Sequence, residues 1–109
     1  MQEATDPELT GLMELIERRS RSWSARAWVS PVGSGTRADA VFGAVRTLAD
    51  LAAEIEGRPR QAVPRLEDPA LSDQLAVMVH DLVATGDSAA VHRAASILAE
   101  LAAQVGIRA

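Results

Sequence analysis

The stretch from Pro69 onward constrains the fold most. Two apolar helical patterns, Pro69–Ala84 and Ser88–Val105, meet at Thr85-Gly86-Asp87. Leu71, Leu75, Met78, Val79 and Leu82 recur at three-to-four spacing in the first, and Val91, Ala95, Leu98, Ala102 and Val105 in the second. Val77, Val83 and Ala84 widen one stripe, while Ala89, Ala90, Ala94, Ile97, Ala99, Leu101 and Ala103 surround the other. A helix that is apolar around most of its circumference has to be covered around most of it. Gly86 ends the first helix and Asp87 caps the second at once, and so short a turn folds the two into an antiparallel hairpin. The pair is therefore the centre of a bundle, or a surface that awaits a partner.

Upstream, two further helical patterns supply cover. The first runs over about 7–28: Leu9, Leu12, Met13, Ile16, Trp23 and Ala27 fall on one stripe, Asp6 suits the cap and Pro7 the first helical position. Glu14–Arg18 and Glu17–Arg21 are four-apart pairs in the favourable order. Pro31, Gly33 and Gly35 break this helix, and no segment reads as a strand. The second runs over 37–56, with Thr36 and Asp39 spaced as a capping box, Val41, Val45, Leu48, Ala52 and Ile55 as its stripe, and Gly57 as its C-cap. Residues 57–68, with two prolines and three arginines, form an extended connector to the 69–85 helix, which Asp68 caps with Pro69 at its first position; the last helix is 88–105. The expected fold is all-α, a single four-helix bundle-like domain over residues 1–109 with a C-terminal antiparallel helical hairpin and the two preceding helices packed over it. Up-down-up-down and orthogonal arrangements both fit.

Composition narrows the chemistry. There is no cysteine, which excludes disulfides, thiolate catalysis and Cys-rich zinc sites, and fits a reducing compartment. All 11 basic residues are arginine, a bias expected of a GC-rich bacterial genome. The net charge of -4 lacks the basic footprint of a nucleic-acid binder; the fourth helix carries only Arg93, with Arg108 beyond it, where a recognition helix shows several polar and basic contacts. Met1–Pro7 is acidic and polar, unlike a signal peptide, and the longest apolar run, Leu75–Val79, is too short to span a bilayer. The expected compartment is the cytoplasm.

Few residues point to a site. Ser34, Gly35, Thr36 and Arg37 lead into a helix N-terminus, which favours anions; Arg58, Arg60 and Arg65 in the connector add cations if both segments meet at one end of the bundle. The loop has neither a Walker lysine nor a preceding strand. Arg18, Arg19, Arg21, Trp23, Arg26 and Trp28 mix cations with aromatics, but helical geometry scatters them; Trp23 falls on the stripe as a core residue, and Trp28 roughly 100° off it, under the following loop or against a partner. His80 and His92 flank the hairpin turn without converging, and Asp50 and Glu54 form a repulsive pair on a solvent face, with Arg46 as a partial counter-charge to Asp50. Ser20, Ser22 and Ser24 read as helix-surface polar residues. No catalytic triad, cofactor motif or metal-ligand set emerges, so an enzyme is not expected.

The leading functional expectation is a small protein–protein interaction or assembly module, a homodimer or a subunit beside another protein. Phe42, Leu51, Val77, Val83, Ile97 and Leu101 lie off the main stripes and supply the candidate interface. The alternative is a small-ligand or anion-binding domain built from the 33–37 loop and the connector arginines.

Overall fold

The computed structural model describes residues 4–108; the first three residues of the Met1–Pro7 segment lie outside them. The chain forms α1 (Asp6–Arg21), α2 (Ala25–Trp28), β1 (Pro31–Val32), β2 (Gly35–Thr36), α3 (Arg37–Glu56), a 3-10 turn (Asp68–Ala70), α4 (Leu71–Ala84) and α5 (Ser88–Val105). It is all-α, a four-helix bundle of α1, α3, α4 and α5. Among the described residues no helix is long and apolar enough to cross a membrane.

Caps set most boundaries. Thr5, not Asp6, caps α1: its side chain accepts from the Glu8 backbone N–H while Glu8 reaches back to the Thr5 N–H. The pair satisfies two otherwise free amides at once, an arrangement Asp6 cannot offer from the first turn. Thr36 and Asp39 form the same reciprocal box at α3, and Asp87 caps α5 by accepting from the Ala90 N–H. At the far end of α3, Gly57 takes a left-handed φ of 66°, which a side chain would strain. Asp68 caps nothing; it lies within the 3-10 turn that precedes α4, and α4 begins without a side-chain cap.

The helix expected over 7–28 is two helices. Ser22 closes α1 with its hydroxyl on the Arg19 carbonyl, and Ser24 opens α2 by accepting from the Ala27 N–H. Serine hydroxyls compete with the helix for backbone partners and so favour its ends. A hairpin also replaces part of the expected loop: Pro31 pairs with Thr36 and Val32 with Gly35 around Gly33-Ser34. A two-residue loop beginning with glycine is a hairpin turn, but strands of two residues leave no alternation to read in the sequence.

Long-range bonds fix the directions of the helices. Arg93 on α5 meets Glu54 late in α3, while Ile97 and Leu101 share a groove with Ala40 and Ala44 early in α3; the two helices are antiparallel. Ser20 late in α1 bonds Ser72 early in α4, and Thr10 and Met13 share a groove with Val79 and His80, so these two are antiparallel as well. The connector returns along α3. The 20 residues of α3 cover about 30 Å, and the eight steps from Gly57 to Arg65 cover about 25 Å at roughly 3.1 Å per extended residue. Arg65 thereby reaches Asp39 at the start of α3, and α4 sets off in the same sense as α3. The topology is up-down-down-up with one long crossover, neither of the expected arrangements.

The α4–α5 hairpin is covered as expected, because α1 and α3 each pack against both of its helices and hardly against each other. One core runs through all four, with Leu9, Ile16, Leu48, Leu71, Leu75, Leu82 and Leu98 fully enclosed. Leu51 and Leu101, assigned above to the interface, belong to this core: they are 3% and 2% exposed. The apolar surplus of the hairpin is thus largely consumed within one chain.

Candidate functional site

The start of α3 is organised by one carboxylate. Asp39 accepts from the Thr36 backbone N–H at 2.9 Å and from Arg65 at 2.8 Å. The hydrogen bond from Arg65, helped by the Thr36 amide, holds its carboxyl below the usual aspartate range. A methyl group on Gly35 would stand 2.6 Å from Asp39 Oδ2, so the backbone approaches this carboxylate closely. The helix N-terminus expected to attract an anion already carries one of its own.

The structure does not assemble the anion site. Ser34, Gly35 and Thr36 precede α3 and Arg37 begins it; Arg58 follows its other end, about 30 Å away for a 20-residue helix, and Arg60 folds back only as far as Asp50, still about 20 Å short. Arg37 lies over the Trp23 ring, 4.9 Å from its centroid. Arg58 pairs with Glu56 at 2.7 Å and Arg60 with Asp50 at 4.0 Å. Only Arg65 returns to the loop, and Asp39 takes it.

The tryptophans exchange their expected places. Breaking the helix at Ser22–Ser24 turns Trp28 inward to 2% exposure and leaves Trp23 half-buried, and the rings meet edge to face at 4.8 Å. With Arg37 they form a stack that fastens α2 to the start of α3. Of the nearby arginines, Arg21 pairs with Glu17 at 3.0 Å and approaches Asp73 at 3.7 Å, whereas among the described residues Glu14 and Arg18 form no ion pair. Ser20 is buried, not on the surface: its hydroxyl lies 2.6 Å from that of Ser72, also buried, inside the α1–α4 contact.

His80 faces the middle of α1, whereas His92 meets the segment that precedes it. His80 borders Thr10, Glu14 and Glu17, while His92 Nδ1 accepts from the Ala4 N–H at 3.1 Å. Asp50 and Glu54 each find a cation from another element, Arg60 and Arg93 respectively, so the pair is compensated across the bundle and not by Arg46. Among the described residues no group of three His, Cys, Asp or Glu side chains converges as a metal site.

Of the expected interface residues, Ile97 and Leu101 share one groove and the others lie apart from it. Phe42 is half-buried beneath Arg65, whose guanidinium lies 5.4 Å from its ring centroid. Val83 is half-buried against the core. Val77 is 54% exposed, but Asp73, His80 and Asp81 share its outward side of α4. Ile97 faces an outward groove, with the buried Leu101 beside it. Ala40, Gly43, Ala44 and Thr47 of α3 form one wall, and Ile97, Glu100, Leu101 and Gln104 of α5 the other, around about 310 Å³. The small side chains of α3 create this hollow: a Cβ on Gly43 would touch nothing within 4 Å. Periodicity identified Ile97; only the packing of α3 on α5 reveals Gly43 and Thr47 beside it.

Compared with known proteins, the chain matches no family model, no curated protein and no solved structure.

Proposed function

We propose that this chain is a small helical assembly module that pairs with a second copy of itself. The observation that carries the reading is the α3–α5 groove: a half-buried isoleucine beside a wall of Ala40, Gly43 and Thr47, on a face where Ala89, Ser96 and Gln104 are exposed and short or uncharged. Small side chains let backbones approach closely, and a half-buried aliphatic beside them supplies apolar area that a partner can remove from water. Twofold dimers are the commonest oligomers because one patch serves both partners. The lack of cysteine supports placing the assembly in a reducing compartment such as the cytoplasm.

The test is the mass in solution. Sedimentation velocity and light scattering over a concentration series are expected to give twice the 11.5 kDa chain mass, with dissociation on dilution. A single species at the chain mass up to high concentration refutes the proposal.

A further inference from the structure

From the charge pattern on α5 we infer the surface and register of self-association: two α5 helices pair antiparallel about a twofold axis between Ser96 and Ile97, each Arg93 facing the partner's Glu100. The inference rests on the proposed pairing and adds the place where it occurs.

Arg93 and Glu100 are both exposed and seven residues apart. At about 100° and 1.5 Å per residue, seven residues make nearly two turns, so both side chains leave the same side of α5 about 10 Å apart. Antiparallel pairing centred midway between them brings each cation to an anion, twice per dimer. Parallel pairing of the same helices sets Arg93 against Arg93 and Glu100 against Glu100. The register is thus specified by opposite charge and defended by like charge. Within one chain, among the described residues, Arg93 pairs only with Glu54 at 3.6 Å, both more than half exposed, a contact of the weak surface kind that a closer partner displaces.

Packing agrees with the charges. Ser96 lies at the axis and lets the helices approach, and Ala89 falls opposite the partner's Gln104. Each Ile97 stands at the edge of the hollow that Ala40, Gly43 and Thr47 leave open, which gives the partner's isoleucine a place to enter. The exposed Val77 on α4 offers no comparable arrangement. Antiparallel pairing centred there sets Asp73 against the partner's Asp81, a like-charge contact on both sides of the axis.

The experiment compares the wild type with Glu100→Arg, the double exchange Arg93→Glu/Glu100→Arg, and Gly43→Leu by sedimentation, with circular dichroism as the check on folding. Glu100→Arg is expected to weaken the dimer at least about tenfold, and the double exchange to restore it, because the charges are swapped and not removed. Gly43→Leu fills the hollow and is expected to give folded monomer, since an exposed helical glycine gains helix propensity on substitution. If the wild type dimerises and all three variants dimerise equally well, the α5 register is wrong while the assembly proposal stands. If the wild type is a monomer, both fall.

Discussion

Arg65 donates to Asp39 at 2.8 Å across 26 positions of sequence, and this one bond fastens the returning connector to the start of the helix it left. Asp39 has a second duty there, accepting from the Thr36 amide in the capping box. Both interactions favour its charged form, so its folded-state titration lies below that of the unfolded chain. A depressed carboxyl contributes stability that is fully present above the unfolded value, about pH 4, and is lost as the pH falls through the folded one. Wild-type melting temperature is therefore expected to fall on acidification below about pH 4 more than that of Asp39→Asn. In a carboxyl titration by NMR, Arg65→Gln is expected to move Asp39 back toward the ordinary aspartate range; an unmoved titration refutes the role of Arg65.

Two glycine-to-alanine exchanges are expected to act with opposite signs. In Gly35→Ala the new methyl meets Asp39 Oδ2 at 2.6 Å and pushes the carboxylate out of the capping box, lowering the melting temperature. In Gly43→Ala the methyl enters open space within α3, and the gain in helix propensity raises stability by roughly 0.5–1 kcal/mol. Thermal denaturation of the two variants side by side checks both signs.

These elements also show where sequence reading succeeds and stops. The Thr36-x-x-Asp39 box, the Gly57 cap and the Asp87 cap are local chemistry, decided by residues a few positions apart, and each is legible in the chain. The break after α1 is obscured because Trp23 and Ala27 continue the helical period through it; Ser22 and Ser24, which end one helix and start the next, are the signal that outweighs the period. The path of the connector is not local. Prolines make it extended, but only the tertiary fold turns it back along α3 and delivers Arg65 to Asp39. The same holds for the candidate groove: Ile97 stands out by its spacing, whereas its opposite wall comes from a helix that reaches it through packing alone.

Ser20 and Ser72 bury two hydroxyls in the α1–α4 contact, 2.6 Å apart, and they are not equivalent. Ser20 also donates to the Glu17 carbonyl, whereas among the described residues Ser72 bonds only Ser20. Removing Ser20 therefore orphans a buried hydroxyl, and removing Ser72 does not. Ser20→Ala is expected to cost about 1–3 kcal/mol and Ser72→Ala less, near 1 kcal/mol. The double alanine variant is expected to be more stable than the sum of the two losses, because no hydroxyl is left unpaired. Urea denaturation of the four proteins completes the cycle, and strict additivity refutes the coupling.

Trp28 and Trp23 report on α2 separately because the fold shields them unequally. Trp28 is 2% exposed and forms the largest enclosed side chain, while Trp23 is half-buried between it and Arg37. In Trp23→Phe the remaining emission from Trp28 is expected to be blue-shifted and poorly quenched by acrylamide. In Trp28→Phe the remaining Trp23 is expected to emit further to the red and to be quenched more readily. Truncating the buried ring is the harsher change: Trp28→Ala leaves a cavity between α2 and the core and is expected to cost about 3–5 kcal/mol. Trp23→Ala removes an edge-to-face contact and a cation–π contact at a partly wet site, together about 1–2 kcal/mol beyond the lost burial. If quenching ranks the two rings the other way, the helix continues through Ser22–Ser24 and Trp23, not Trp28, points into the core.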